Sequence, residues 1–290
     1  MTPAVHRRRR IATAVLVAVA TASATAGAVA GRGGPATPAQ GPAPTPHARS
    51  APATPAPATD VASVAARAGV PVLCYHQIRR PTAADAAQDR PYIVSPAAFA
   101  RQMEALDRAG YTTITGDALV AHVARGAPLP PKPVLLTFDD GTAGQMASAL
   151  PVLRRHRFTA AFFVMTVVLG RPGWLSRADV RALDRAGMTI AAHTWDHHAV
   201  TGYADADWPK QIDEPVRDLA ALVGHPITLF AYPFGLWDAR AFAHLRAAGL
   251  TAAFQLSGRM DAAEPLWTLR RIIVPDWSGR RLLQEIRRDF

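Results

Sequence analysis

Leu135-Leu136-Thr137-Phe138-Asp139-Asp140-Gly141 reads as a buried strand that ends on two adjacent carboxylates. The run is continuously apolar, which suits the interior of a parallel sheet better than a half-exposed strand. A second apolar run, residues 189–193, opens into His193-Thr194-Trp195-Asp196-His197, 53 residues beyond Asp140. One carboxylate and two imidazoles make a three-ligand set with open positions, the donor pattern of a catalytic zinc or a related divalent cation. The second carboxylate is then free to take a proton. Taken singly, an Asp-Asp-Gly turn is explained by backbone preference, and a His-x-x-x-His pair is more often structural than ligating. Both lie at predicted strand ends, where α/β folds assemble their sites, and that shared placement gives the pair its weight.

Working outward, strand-like runs at residues 70–75, 112–115, 134–138, 160–165, 189–193, 228–231, 252–256 and 269–274 alternate with helical patterns. Ser95-Pro96 caps and opens one helix, which carries Phe99, Met103 and Leu106 at helical spacing and stops at Gly110. Others cover residues 143–156, 177–186, 212–223 and 239–248. Alternation with short connections predicts an α/β fold with a parallel sheet. Seven or eight such units predict a closed or distorted (β/α) barrel. In that arrangement Asp139, Asp140, His193, His197, Tyr232 and His76 all reach one face.

The 290-residue chain is long enough for a substantial core. Its first part reads differently from the rest. His6-Arg7-Arg8-Arg9-Arg10 is a positive stretch, residues 11–20 are apolar, and Ala28-Val29-Ala30 has the spacing a signal peptidase accepts. Residues 1–30 therefore read as an export signal, with an uncleaved membrane anchor as the competing expectation. Residues 31–60 are mostly Ala, Pro, Thr, Gly and Ser, a linker composition, so the catalytic domain is expected over residues 61–290. The expected location is extracytoplasmic, with possible envelope association through the N-terminus. Cys74 is the only cysteine, which excludes an intrachain disulfide. The formal charge of +10 divides evenly: +5 from residues 1–60, and +5 from 26 basic against 21 acidic residues in the remainder. Without a basic run interleaved with aromatics, nucleic acid is not an expected partner. The expected assembly is a monomer.

At these motifs the chain resembles the metal-dependent polysaccharide deacetylases that share the NodB-homology domain. Thr137-Phe138-Asp139-Asp140-Gly141 and His193-Thr194-Trp195-Asp196-His197 carry the resemblance, with Phe230-Ala231-Tyr232-Pro233-Phe234-Gly235 in support. Pro71-Val72-Leu73-Cys74-Tyr75-His76 is similar to the first strand of the branch containing poly-N-acetylglucosamine deacetylases. The resemblance runs from about residue 70 to the C-terminus and implies a distorted barrel of about seven strands. It implies Asp140, His193 and His197 as ligands of a divalent cation, zinc first, with Asp139 as general base. His198 competes with His197, because some members use a pair one residue wider. Tyr232, Pro233, Phe234 and Gly235 are expected to face substrate and, through a backbone N–H, the oxyanion. The implied substrate is an N-acetylglucosamine-containing polysaccharide, either poly-N-acetylglucosamine-like or peptidoglycan.

Two departures stand out. The family usually carries Arg two residues before the Pro of its third motif, where it orients the base; here that residue is Ala231. The family's late general-acid His is also missing, since no His follows His244. Arg270 or Arg271 could replace the lost Arg, although surface exposure is the default expectation for both. His76 is the candidate acid. A weakly catalytic carbohydrate-binding relative and a metal-dependent amidase or esterase on a non-sugar acyl group are the competing functions.

Overall fold

The computed structural model describes Ser63 and residues 67–290, within the compact unit Pro55–Phe290. The predicted signal and linker, residues 1–60, lie outside the described residues. Among the described residues there are ten strands: β1 (Val72–Tyr75), β2 (Gln77–Ile78), β3 (Ile93–Val94), β4 (Thr112–Thr113), β5 (Pro133–Phe138), β6 (Ala161–Val164), β7 (Thr189–Ala192), β8 (Leu229–Ala231), β9 (Ala252–Phe254) and β10 (Ile272–Ile273). Seven of them form a parallel path in the order β10-β1-β5-β6-β7-β8-β9, with β4 paired to β5. A bridge between Phe254 and Leu269 returns the β9 edge to the segment entering β10. Gln255 N–H donates to the Leu269 carbonyl at 2.9 Å, and Leu269 N–H to that of Ala253 at 3.1 Å. The sheet therefore curls into a distorted barrel wrapped by helices.

Strand alternation divides the core in two. Val72, Leu135, Phe163, Ala191, Ala231, Phe254 and Leu269 share one buried cluster inside the curl. Their chain neighbours Leu73, Leu136, Phe162, Ala192 and Phe230 belong, with Ile272, to the other, beneath the helices. That outer layer includes aromatic packing, with Phe138 stacked on Phe162 at 4.7 Å and Tyr75 on Phe138 at 5.4 Å. Period-two alternation then aims the residues that follow inward-facing ones. Cys74 is followed by His76, Thr137 by Asp139, and Ala191 by His193, so these side chains converge at the mouth of the curl.

The helices obey their sequence signals. Pro96–Arg108 begins at Ser95, whose side chain accepts from Ala98 N–H. Arg177–Arg185 begins with a capping box between Ser176 and Asp179. The predicted helix over residues 143–156 has a wider first turn: Gln145–Ala149 is π-helical before Leu150–His156 becomes α-helical. No helix among the described residues is long and apolar enough to cross a membrane.

Candidate active site

β5 delivers Asp139 inward and Asp140 just beyond it. Asp140 has φ 74°, a left-handed backbone that turns its side chain toward β7. There the Nε2 atoms of His193 and His197 each lie 3.5 Å from Asp140 Oδ1. These three donor atoms fall within 4.8 Å of one another. His193 Nδ1 is 2.7 Å from the Ala231 carbonyl; a proton on Nδ1 leaves the Nε2 lone pair facing the cluster. Asp140 Oδ1 and His193 Nε2 are both buried and make no hydrogen bond of good geometry. Buried polar atoms without partners are costly. A cation among one carboxylate and two imidazoles would satisfy them together, so the donor set fits a divalent metal.

His198 stands outside this cluster, exposed and paired with Asp196 Oδ1 at 2.7 Å. The geometry thus brings together the narrower histidine pair. Burial, reinforced by His193, lowers the His197 pKa to about 4, leaving a neutral imidazole at neutral pH. Burial pulls the His193 pKa down, but Asp140, Asp139 and the Ala231 carbonyl together outweigh it and leave the pKa shifted upward.

Backbone strain gathers here. Among the described residues six non-glycine residues have positive φ, and four of them surround the site: Asp140, Thr194 (66°), His197 (72°) and Phe234 (60°). A β-branched residue such as Thr194 is especially unfavourable there. Its hydroxyl accepts from His197 N–H at 2.9 Å, fixing the turn between the two histidines. Strain of this kind persists where surrounding contacts over-determine the geometry.

Asp139 is held differently. Arg271 Nη1 donates to its Oδ1 at 2.6 Å and Nη2 to its Oδ2 at 2.8 Å. The default expectation of a surface-exposed Arg271 is therefore corrected: the residue is fully buried. Arg271 shares the inward alternation of Leu269, while Arg270 faces outward. Arg271 Nε also donates to the Gln255 carbonyl at 2.9 Å. Alanine at position 231, where an Arg was expected, lies on the same inner side of the curl. Burial raises the Asp139 pKa, but Arg271 and the adjacent imidazoles outweigh it and leave the carboxyl below its ordinary value.

His76 completes the group. Its Nε2 is 4.0 Å from Asp139 Oδ2, its Nδ1 is 3.9 Å from Cys74 Sγ, and its ring meets the edge of Tyr92 at 4.8 Å. Burial lowers its pKa against the pull of Asp140 and Asp139. Gln145, which no sequence signal marked, donates from Nε2 to the backbone carbonyls of His76 (2.9 Å) and Asp139 (2.6 Å). The π-helical turn that carries Gln145 thereby ties the ends of β1 and β5.

The third motif divides by alternation. Tyr232 follows the outward Phe230 and is buried against it, so its ring does not line the mouth. Pro233–Gly235 forms a tight turn. Phe234 on that turn is 54% exposed, with its ring 4.5 Å from that of His197. Trp195 and Trp237 are half-buried; Lys210 lies over the Trp195 ring and Trp237 packs on Phe242.

Residues 126–253 match the family described as polysaccharide deacetylase. These 128 of the chain's 290 residues resemble a polysaccharide deacetylase domain. The Bacillus subtilis protein YxkH is 24% identical over 218 residues, covering 73% of this chain and 74% of that protein. The peptidoglycan-N-acetylglucosamine deacetylase PgdA of Listeria monocytogenes is 30% identical over 106 residues, 36% of this chain and 22% of that protein. The fold is shared with the Streptococcus pyogenes deacetylase PplD in complex with acetate (TM-score 0.68, 23% identity, 75% of this chain and 97% of that chain). It is shared also with IcaB from Ammonifex degensii (TM-score 0.64, 24% identity, 74% and 96%). In the domain described here, the matched stretch contains Asp139, Asp140, His193, His197 and the third motif, while His76 and Arg271 lie on either side of it.

Proposed function

We propose that the chain is an exported, metal-dependent deacetylase that removes N-acetyl groups from an N-acetylglucosamine-containing polysaccharide. The observation that carries this reading is the convergence of Asp140, His193 and His197 beside an Asp139 clamped by Arg271. Asp140, His193 and His197 would hold the cation, and zinc suits one oxygen and two nitrogen donors with positions left open. When bound, it would supply Lewis acidity toward water and the acetyl carbonyl.

The chain's own groups then divide the proton work. Asp139, kept ionised and fixed by Arg271, accepts the proton of the attacking water at a carboxylate oxygen. His76, on the other side of that carboxylate, delivers a proton from Nε2 to the departing amine. In the Pro233–Gly235 turn the Gly235 N–H is bonded to the Tyr232 carbonyl, which leaves the Phe234 N–H for the developing oxyanion, and exposed Phe234 offers an apolar ring to the sugar. Export is read from the charged and apolar segments of residues 1–30; fractionation of cells carrying the full chain tests it.

Acetate release should be measured from poly-N-acetylglucosamine oligomers, peptidoglycan fragments and small acetyl esters, before and after chelation and after zinc is restored. Release from the glycans that stops on chelation and returns with zinc is expected. Release from esters alone, or release indifferent to chelation, would overturn the reading.

A further inference from the structure

A cavity of about 370 Å³ is lined by Pro81, Thr82, Arg90, Ile93 and Asp276. Its position follows from topology. Beyond His76 the chain continues into β2, which pairs with β3, and the intervening residues form one wall. Asp276 comes from the loop after β10, the neighbour of β1. Tyr92, packed on His76, sits between Arg90 and Ile93 in sequence and joins the cavity wall to the catalytic group.

The walls are pre-built. Arg79 makes two hydrogen bonds to Asp85, at 2.6 and 3.0 Å, and one to Gln77 Oε1 at 2.6 Å. Asp85 also accepts from Thr82 N–H. Across the cavity, Asp276 Oδ1 accepts from both N–H and Oγ of Ser95 at 2.8 Å. Neither Arg90's guanidinium nor Asp276 Oδ2 has a partner in these networks, so a donor and an acceptor are left for a ligand. Opposite charges on one cavity leave little net potential, which disfavours a phosphate and suits a neutral polyhydroxylated ring. Exposed Pro81 supplies apolar surface for the ring's C–H face. The volume falls in the range of small-molecule sites.

We infer that this cavity is a subsite for a neighbouring N-acetylhexosamine unit of the same glycan, with Arg90 donating to its oxygens and Asp276 accepting from its hydroxyls. The inference rests on the deacetylase reading above and specifies how the substrate extends past His76. The test compares kcat/KM for N-acetylglucosamine oligomers of two to five units in the zinc-loaded full chain, in Arg90→Ala and in Asp276→Asn. The Asn variant retains an oxygen for the Ser95 cap. Wild-type kcat/KM should rise with length. In Arg90→Ala the pentamer-to-dimer ratio should fall about tenfold, the size expected for a lost hydrogen bond to a charged group. The loss should be carried by KM, and Asp276→Asn should shift the ratio the same way. A wild-type enzyme indifferent to length, or a ratio that survives Arg90→Ala, overturns the subsite alone. Inactivity of the wild type on every oligomer overturns the deacetylase reading and the subsite with it.

Discussion

Arg271 and Asp139 stand 132 residues apart in sequence and form a bidentate ion pair with neither partner open to solvent. A buried pair of this kind is strongly destabilising to break, because removing one partner leaves a desolvated charge behind. Arg271→Met should therefore lower unfolding free energy by about 3–5 kcal/mol in denaturant titration. Arg271→Lys should recover only part of this, since an ammonium cannot reproduce the planar fork. The double variant Asp139→Asn/Arg271→Met should be less destabilised than the sum of its parts. Strict additivity would mean the pair is not energetically coupled.

The two adjacent carboxylates should separate by phenotype. Asp140→Asn should lose metal affinity, measured by metal content after dialysis. Asp139→Asn should retain metal and lose turnover by roughly 10²–10⁴-fold, the contribution of a general base. Equal metal retention in both, or the reverse assignment, would refute these roles.

Metal content also discriminates among the histidines. His193→Ala and His197→Ala should each abolish stoichiometric binding, because two ligands hold a catalytic ion poorly. His198→Ala should leave binding intact, as its ring is turned to Asp196. Loss of metal on changing His198, with His197 dispensable, would restore the wider pair.

His76→Ala should lower kcat sharply with metal content and KM little changed, because proton delivery to the amine matters in the transition state rather than in binding. The basic limb of its pH–rate profile should disappear or move. Full activity with an unaltered profile would show that another group protonates the leaving amine.

Much of this architecture is legible in the sequence because parallel strands, buried on both faces, announce themselves as apolar runs. The distorted barrel follows from their number. The ends of elements are less legible. The β-branched run at residues 112–115 predicts a strand through Thr115, yet bonding to β5 ends with the Ile114 N–H on the Val134 carbonyl, and Thr115 instead caps the helix Gly116–Arg125. The hydroxyl that suits a strand also suits an N-cap. The Asp and His residues of the site were readable because each follows an apolar run. Arg271 was harder, since arginine is rarely fully buried and its partner is remote in sequence. The available signal was alternation: Leu269 and Arg271 on one side of the strand, Ile272 and Val274 among the outer core on the other. Gln145 had no such signal, because its reach depends on a π-helical turn.

The ion pair also sets an order of assembly. A chain growing from its N-terminus contains Asp139, Asp140, both predicted ligand histidines and His76 before Arg271 exists. Until β10 docks against β1, the inward carboxylate of Asp139 lacks its counter-charge and must stay hydrated or take up a proton. The mouth of the barrel is then unfinished although its proposed cation-binding residues are all in place. Synthesis or truncation that stops short of residue 271 should thus uncouple metal capture from a competent base, making the last strand the step that commits the protein to activity.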